Sequence, residues 1–427
     1  MDAVSLVALL LIAAGVLQSL VLALQSWEHR RYARSCMASR ARFGPRGRVL
    51  VVSPCKGVDV GLADNLRALL DQDYDDYDVV FVVESEDDPA CAVIRWVSAE
   101  RRRGRLLVAG RAAVGGQKIH NLLAATAQID PQYELVAFVD SDARPRRDWL
   151  RLLVSRLDGR EYCAATGYRW FVPQRATPAN LLLYSINSAL MTLLGKRSHG
   201  LVWGGSWAIR RDDFLRLNIR EHWQGALSDD LAAGQALRAD PRPTRFEPGA
   251  VVCSPLQSTI GQLFEFVRRQ YMMARFYAPR WWRFGLFVLL PGNLAWIALA
   301  VLAWRWSGDR VGSTTVAGLA AAMFGLSMLR AALRQSLARV YFPDMADSLR
   351  AARWFDLVAA PLAAVAHALG AWASLFGRTL SWRGTRYRLQ ANGQVEIISA
   401  RQFVAPDELA ESPDDREEQR DKRRRAA

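Results

Sequence analysis

The stretch "VAFVDSDARP" (136–145) places four apolar residues directly before two aspartates that are separated by one serine. The apolar run indicates a buried strand, and the acids follow at its end. Two neighbouring carboxylates repel each other and lose hydration when enclosed, so the pair needs a cation. Carboxylate oxygens suit Mg²⁺ or Mn²⁺, which makes Asp140 and Asp142 candidate metal ligands. A solvated turn is the alternative, because a bare Asp-x-Asp triplet is frequent by chance.

Strands and amphipathic helices alternate on the N-terminal side of this stretch. The runs "GRVLVVSPC" (47–55), "YDVVFVVES" (77–85) and "GRLLVAG" (104–110) indicate three further strands, each followed by a helical pattern. This alternation predicts a parallel, doubly wound α/β sheet. Ligands bind beyond the carboxyl ends of the strands in such sheets. The acids predicted to share that rim are Glu84, Asp87, Asp88, Asp140 and Asp142.

Four apolar stretches lie towards the two ends of the 427-residue chain. The first, residues 4–25, is uncharged and long enough to span a bilayer, which needs about 20 apolar residues. A cleavable signal peptide is the alternative, but the opening "MDAV" lacks the expected basic start. The basic flank that follows predicts a cytoplasmic catalytic region and an external N-terminus. The later stretches cover 284–304, 312–333 and 355–376, and buried helices of a large soluble core are the alternative interpretation.

Charge and cysteine content narrow the class of protein further. The formal net charge is +14, which nucleic-acid binding would explain. Many arginines lie beside the apolar stretches, however, where anionic lipid attracts them, so we predict a bilayer partner and no nucleic acid. The five cysteines include no Cys-x-x-Cys pair. That pattern is typical of reduced cytoplasmic thiols and indicates neither zinc nor a disulfide framework.

Two later stretches carry further candidate site residues. "LSDDLAAGQAL" (227–237) places Asp229 and Asp230 at the start of a helical pattern. One of them is a candidate general base for an acceptor hydroxyl, and a helix N-cap is the alternative. "FVRRQYMMARF" (266–276) carries three arginines and a glutamine just before the second apolar stretch. Such a helix is suited to grip a diphosphate or an acceptor, and a basic membrane-interface flank is the alternative.

The order of these motifs resembles the inverting glycosyltransferases of family 2 type, and most closely the ceramide glucosyltransferase family. The stretches that carry the resemblance are "SPCKGVDVGLADNL" (53–66), "EDDPA" (86–90), "QKIHNL" (117–122), "VDSD" (139–142), "LSDDLAAGQAL" (227–237) and "SWRGTRYRL" (381–389). The resemblance implies a nucleotide-diphospho-sugar transferase domain (GT-A, Rossmann-like) with transmembrane helices at both ends. It also implies a UDP-sugar donor, a membrane lipid acceptor and a divalent metal cofactor, Mg²⁺ or Mn²⁺.

The resemblance also implies roles for individual side chains. Asp230 would be the catalytic base, and Asp140 and Asp142 would bind the metal. The residues implied at the nucleotide-sugar are Lys56, Asp59, Asp88, Lys118, Asn121 and Asp140, and those implied at the acceptor and diphosphate are Asp229, Arg269 and Gln270. One position departs from the family's Gln/Arg-x-x-Arg-Trp motif, because Gln270 stands where the family has tryptophan. Because of this departure, the resemblance constrains the identity of the acceptor less than the identity of the donor.

These features predict seven consecutive segments. They are an N-terminal transmembrane anchor (1–27), a basic linker (28–46), a GT-A catalytic domain (47–258), an interfacial basic helix (259–282), about three membrane segments (283–377), a basic hairpin-like segment (378–403) and a disordered charged tail (404–427). Three full spans after the catalytic domain would put "RTLSWRGTRYR" (378–388) outside, against the positive-inside rule. We therefore expect one late segment to be interfacial or re-entrant.

The combined prediction is a multi-pass membrane protein with a cytoplasmic catalytic domain. It would move a hexose, with glucose expected, from a UDP-sugar to the hydroxyl of a ceramide-like lipid. Transfer to diacylglycerol, a hopanoid or another lipid is one alternative, and a polysaccharide synthase is another. A non-enzymatic basic membrane adaptor is the weakest alternative, since it has no need of an acidic rim.

Overall fold

The structure is a computed structural model that describes residues 2–39, 44, 47–101, 103–198 and 200–400. The predicted charged tail (404–427) lies outside the described residues, as does part of the predicted basic linker (40–43 and 45–46).

An eight-stranded sheet forms the centre of the catalytic region. Its strands are β1 (Val49–Pro54), β2 (Tyr77–Val83), β3 (Gly104–Val108), β4 (Leu135–Val139), β5 (Ala164–Pro173), β6 (Arg197–Ser198), β7 (Ser206–Arg210) and β8 (Thr244–Leu256). The order is β3-β2-β1-β4-β7-β5-β8-β6. Strands β1 to β4 are parallel, as the alternation predicts, whereas β7 runs antiparallel to both β4 and β5. The sheet is therefore mixed. Strands β1 to β4 form an all-parallel half, β5 pairs with β8 in parallel, and β6 and β7 run antiparallel to their neighbours.

Helices cover both faces of this sheet. They are α2 (Leu62–Leu70), α3 (Ala90–Glu100), α4 (Gln117–Ala125), α5 (Trp149–Val154), α6 (Pro178–Met191), α7 (Arg211–Arg216), α8 (Ile219–Trp223) and α9 (Asp229–Leu237). Alternate residues of β1 face opposite layers, as the pleat requires. Val51 packs in one cluster with Leu66 of α2, and Val52 packs in the other with Ile119 of α4. Two apolar layers thus hold the sheet between its helices.

Six further helices among the described residues flank the catalytic region. They are α1 (Ala3–Ser39), α10 (Ile260–Tyr277), α11 (Pro279–Val288), α12 (Leu290–Arg305), α13 (Arg310–Tyr341) and α14 (Arg350–Trp372). Within the described part of the chain, four helical stretches are long and apolar enough to cross a membrane: Ala3–Ser39, Pro279–Arg305, Arg310–Tyr341 and Arg350–Leu375. The first continues past residue 27, so residues 28–39 of the predicted basic linker are helical, and they contact the catalytic region. His29, for example, lies 2.9 Å from the carbonyl oxygen of Leu194.

The segment after α14 forms a three-stranded antiparallel sheet. Its strands are β9 (Thr379–Trp382), β10 (Thr385–Leu389) and β11 (Val395–Ala400), and β10 and β11 are joined at the predicted Asn-Gly turn. Leu380 and Tyr387 pack in the same apolar cluster as Tyr277 of α10. The Tyr277 hydroxyl also donates to the carbonyl oxygen of Gly393 at 2.6 Å. This small sheet is therefore part of the catalytic region's surface.

Candidate active site

The carboxyl ends of β1, β2 and β4 bring most of the predicted acids to one edge of the sheet. Asp59 follows β1, Asp88 follows β2, and Asp140 and Asp142 follow β4. Each strand is a buried apolar run that ends where polar residues begin, so these side chains emerge along the same edge. The loops after β1 and β4 also touch, because the hydroxyl of Ser141 lies 3.5 Å from Asp59 Oδ2.

Lys118, in the first turn of α4, joins two acidic stretches that are far apart in the sequence. Its Nζ lies 2.7 Å from Asp140 Oδ1 and 2.8 Å from Asp229 Oδ1. Burial raises the pKa of both aspartates, and Lys118 offsets only part of that rise. Burial acts to lower the pKa of Lys118, but the two carboxylates outweigh it and hold this pKa above its ordinary value. Lys118 is therefore a buried cation between the end of β4 and the start of α9.

Arg169, on β5, contacts both acids of the Asp-x-Asp pair. Its NH1 lies 2.7 Å from Asp142 Oδ2 and 3.6 Å from Asp140 Oδ2. Burial acts to raise the pKa of Asp142, but Arg169 and Arg383 outweigh it and keep that pKa below its ordinary value. The two carboxylates therefore converge on a single positive charge.

The two acids at the start of α9 have different surroundings. Asp230 accepts hydrogen bonds from the backbone N–H of Gly204 at 3.2 Å, from that of Leu231 at 2.7 Å and from the Ser228 hydroxyl. Asp229 is 3% exposed, and its Oδ2 has no hydrogen-bond partner among the described residues. Asp230 is thus held in a fixed orientation, while Asp229 keeps one buried oxygen free to accept a further hydrogen bond.

Gly204 and Gly205 cover this acidic cluster immediately before β7. A Cβ atom at Gly204 would lie 3.1 Å from Asp229 Oδ2 and 3.3 Å from Lys118 Nζ. A Cβ atom at Gly205 would lie 3.4 Å from Asp140 Oδ2. The backbone can approach Asp229 this closely at Gly204 because that residue lacks a side chain, whereas a Cβ at Gly205 would be at an ordinary van der Waals distance.

Three predicted nucleotide-site residues mainly organise the loops around the cluster. Lys56 Nζ lies 2.8 Å from Glu84 Oε2. Asp88 Oδ1 accepts from the backbone N–H groups of Gly57 and Ala90, both at 2.9 Å, and so ties the loop after β1 to the start of α3. Asn121 is buried, and its amide donates to the carbonyl oxygen of Val82 at 3.2 Å. The contacts of Asn121 therefore hold α4 on the sheet.

Arg383 reaches the same edge of the sheet from the turn between β9 and β10. Its NH2 donates to Asp59 Oδ2 at 2.8 Å, and its NH1 donates to the carbonyl oxygen of Lys56 at 2.6 Å. Burial raises the pKa of Asp59, and the Arg383 guanidinium offsets part of that rise. The turn requires left-handed backbone at Arg383 (φ 47°) and at Gly384 (φ 78°). A C-terminal arginine thus pairs with an acid of the N-terminal half.

The family whose sequence pattern matches the chain is "Glycosyl transferase family 21", and the match covers residues 7–395. The chain belongs to glycosyl transferase family 21. This membership confirms the resemblance to ceramide glucosyltransferases and the expected GT-A fold with apolar helices near the N-terminus and further along the chain.

Solved structures of other glycosyltransferases are similar to this family 21 protein. One is "Mannosyltransferase PcManGT from Pyrobaculum calidifontis in complex with GDP-Man and Mn2+", which is 17% identical, with 84% of this chain and 99% of that chain covered and a TM-score of 0.48. Another is "Crystal structure of GalNAc-T7 with UDP, GalNAc and Mn2+", which is 11% identical, with 52% and 48% covered and a TM-score of 0.36.

Asp140 and Asp142 are the residues of this family 21 glycosyltransferase that are expected to hold a divalent cation. Both carboxylates already contact one positive group, the Arg169 guanidinium. The part of the chain that the structure describes contains no group of three or more His, Cys, Asp or Glu placed to hold a metal ion. A metal at this pair therefore needs further ligands from a diphosphate or water, which is typical of Mg²⁺.

Arg269 lies beside the small C-terminal sheet, at the other side of the cluster. Its guanidinium lies 5.6 Å from the ring centre of Trp382 and 5.5 Å from that of Phe266. Burial lowers the pKa of Arg269 to about 10. Gln270, which stands where the family motif has tryptophan, is half-buried. An indole therefore does lie next to this arginine, but it comes from β9.

Arg169 and Arg383 are site residues that the sequence analysis did not name. Arg169 is an isolated charge inside the apolar run "AATGYRWFVP" (164–173). A buried charge needs a partner, and this is the signal that could have identified it. Arg383 lies in the quoted family stretch "SWRGTRYRL" (381–389), but sequence alone does not show that it meets Asp59. Gly204 and Gly205 form the Gly-Gly step in "VWGGSW" (202–207), which marks a close backbone approach.

Proposed function

We propose that this family 21 glycosyltransferase moves a hexose, most simply glucose, from a UDP-sugar to the hydroxyl of a ceramide-like membrane lipid. The observation that carries the proposal is the cluster at the carboxyl edge of the sheet. There Lys118 bridges Asp140 and Asp229, and Arg169 bridges Asp140 and Asp142. Aspartates together with lysine and arginine side chains at this edge suit the binding of a diphosphate and its metal ion. Family membership supports a sugar-nucleotide as the molecule that carries this diphosphate.

The donor would lie across the ends of β1 and β4. Asp59, Lys56 and Asp88 belong to the loops around the nucleotide, while Arg383 and Lys118 supply positive charge for the diphosphate. Asp140 and Asp142 would hold the metal, Mg²⁺ or Mn²⁺, which when bound would stabilise the negative charge of the leaving UDP. The Arg169 guanidinium would then turn from the carboxylates towards a phosphate oxygen.

Asp230 would act as the general base. One of its carboxylate oxygens takes the proton from the acceptor hydroxyl, and the hydroxyl oxygen attacks the anomeric carbon. The bond from that carbon to the diphosphate oxygen breaks as the new bond forms, so the configuration inverts. The three hydrogen bonds to Asp230 keep its carboxylate in one orientation. Asp229 would position Lys118 and contact the acceptor or the diphosphate.

Helix α14 supports a membrane-surface site with the catalytic domain in the cytoplasm. Near the start of α14, Ala352 packs with Trp170, and further along, Ala366 packs with Val267. The apolar side chains on its other face are exposed: Trp354, Val358, Leu362, Val365 and Leu369. We therefore assign α14 to the interface, with its apolar stripe in the bilayer and its other face on protein. This placement would keep β9 to β11 on the catalytic side. Among the described helices, α1, the α11–α12 stretch (Pro279–Arg305) and α13 would then span the membrane.

The single most informative experiment is mass spectrometry of lipids from cells with and without this protein. A new hexosyl-ceramide, absent when Asp230→Asn replaces the native chain, is the expected result. Hexosylated diacylglycerol or hopanoid would move the proposal to another acceptor. A long polymer would contradict single-sugar transfer and favour a polysaccharide synthase. The mass spectra thus identify the lipid acceptor and also distinguish transfer of a single sugar from synthesis of a polymer.

The placement of α14 has its own test. Ser381 is exposed on β9, and all five native cysteines are buried, so Ser381→Cys adds one accessible thiol with little background. A membrane-impermeant maleimide should label it in inverted vesicles and not in intact cells. Labelling from outside the cell would contradict the interfacial placement while leaving the transfer reaction untouched.

A further inference from the structure

A cavity of about 150 Å³ lies away from the candidate active site, between α1, α6, α12, α13 and α14. Gln18 and Leu22 of α1 line it. Further along α1, His29 contacts the catalytic region. At 1.5 Å per residue, Gln18 lies about 16 Å from His29 along the helix axis. The cavity is therefore on the membrane side of the point where α1 meets the catalytic region.

The opposite side of the cavity adjoins the apolar helix bundle. Ile12 of α1 packs there with Ala298 and Leu302 of α12 and Val316 of α13. The cavity thus lies between the apolar helix bundle on one side and the catalytic region on the other. A lipid headgroup lies at this level when the apolar bundle is in the bilayer.

A buried ion pair forms part of the cavity wall. Arg334 of α13 donates to Asp356 of α14 through NH2 at 2.9 Å and Nε at 3.2 Å. Gln335 donates to the same carboxylate at 2.6 Å and accepts from the Tyr184 hydroxyl, also at 2.6 Å. The Asp356 carboxylate is therefore hydrogen-bonded to Arg334 and Gln335, and among the described residues it forms no hydrogen bond to the second arginine of this wall.

Arg330 is that second arginine, one turn before Arg334 on α13, and it also lines the cavity. Its Nε–H is shielded from water and has no hydrogen-bond partner among the described residues. No described acid forms an ion pair with it, because the carboxylate of this wall belongs to Arg334. Arg330 is therefore a half-buried guanidinium beside an apolar helix bundle, and an anionic group in the cavity would supply the hydrogen-bond acceptor that its Nε–H lacks.

We propose that this cavity binds the phosphate group of an anionic membrane phospholipid, with Arg330 as its charged donor. A guanidinium forms paired hydrogen bonds to phosphate, and basic pockets between membrane helices on the cytoplasmic side suit such headgroups. The acyl chains would extend along the apolar bundle. The lipid would then connect α1, α13 and α14, and it is distinct from the sugar acceptor.

The test uses the full chain purified in detergent, with the midpoint of thermal unfolding measured against added ligand. Phosphatidylglycerol should raise the midpoint saturably, phosphatidylcholine should act more weakly, and inorganic phosphate should have no effect at equal concentration. Arg330→Gln should weaken the apparent affinity for phosphatidylglycerol about tenfold, as expected for one charged hydrogen-bonding group. Arg339→Gln is the matched control, since it removes the same charge from an exposed position on the same helix.

The outcomes separate the possible sources of phosphate. Equal responses of the native protein and Arg330→Gln to phosphatidylglycerol would overturn the proposal. Equal stabilisation by inorganic phosphate would replace the lipid by a free anion and would also overturn it. Should Arg330→Gln fail to fold, Arg330→Lys decides, because it keeps the charge and loses the paired geometry. Weaker binding by the lysine variant supports the site, and unchanged binding contradicts it.

Discussion

Arg383 and Asp59 form an ion pair of 2.8 Å although 324 residues separate them in the chain. The same arginine donates to the carbonyl oxygen of Lys56, so the C-terminal sheet closes over the loop after β1. The pair stands beside the Asp140 and Asp142 carboxylates, which also act on the Arg383 charge. The C-terminal segment therefore completes the donor side of the candidate site.

Arg383→Gln should raise the KM for the UDP-sugar about tenfold with a smaller effect on kcat. The reason is that Asp59 would lose its buried partner and the diphosphate would lose one charge-assisted donor. Steady-state kinetics with varied donor measures this split. Arg386→Gln is the control, because Arg386 is exposed on β10 in the same small sheet. An unchanged donor KM in Arg383→Gln would remove this arginine from the donor site.

Asp230→Asn should lower the transfer rate by about 10²- to 10⁴-fold, the range for loss of a general base, while UDP-sugar still binds. The amide keeps the size of the side chain and its position above Gly204, but it cannot take a proton. Calorimetric titration with the UDP-sugar and single-turnover transfer measure the two properties separately. Near-normal turnover would exclude Asp230 as the base and direct attention to Asp229, whose Oδ2 is unpartnered.

Asp229→Asn should change the pH dependence of stability in a defined direction. Burial raises the pKa of Asp229, with Lys118 offsetting part of the rise, so the folded protein keeps this proton to higher pH than the unfolded chain. The Asp229 contribution to the free energy of unfolding therefore falls as pH rises from about 4, the unfolded pKa of an aspartate.

Asparagine cannot titrate, so Asp229→Asn should gain stability relative to the native protein over that same rise in pH. Thermal midpoints of both proteins, measured between about pH 4 and 7, give the difference. Asp213→Asn provides contrast, since burial at Asp213 is outweighed by Arg242, Arg216 and Arg210, which lower its pKa. The stability of Asp213→Asn relative to the native protein should therefore fall as pH rises, mainly below about pH 5, so its thermal midpoints are compared from about pH 3 upwards. Parallel curves for the native protein and Asp229→Asn would contradict the assignment.

The parallel half of the fold could be predicted because its strands are local patterns. Val49 to Val52 is a continuous apolar run, and the helix after β1 repeats leucine at helical spacing. The antiparallel strand β7 could not be predicted in this way, because its place between β4 and β5 depends on pairing over long sequence separations. Strand pairing of this kind leaves no periodic signal along the chain.

The acids of the candidate site could also be predicted, since each follows a strand end. Their cations could not be assigned, because Arg169 meets Asp142 only through the order of strands in the sheet. Lys118 was expected near the nucleotide, but its bridge between Asp140 and Asp229 depends on how α4 packs against α9's first turn. Sequence thus identifies charged groups, and topology decides which of them pair.

Gly204→Ala should reduce transfer far more than it reduces stability. The added Cβ would lie 3.1 Å from Asp229 Oδ2 and 3.3 Å from Lys118 Nζ, so both groups must shift by a few tenths of an ångström. Overpacking of this kind costs about 1–3 kcal/mol where the surroundings are rigid, and here it acts on the charges that hold Asp140. Transfer rate and thermal midpoint, measured on the same preparation, give the two effects.

Gly261→Ala is the matched control for this prediction, because a Cβ there meets no atom within 4 Å and the residue lies in the first turn of α10, away from the acids. Its transfer rate and midpoint should stay close to those of the native protein. Equal activity of Gly204→Ala and Gly261→Ala would mean that the acidic cluster tolerates displacement. The close approach of the backbone to Asp229 would then serve packing and not the reaction.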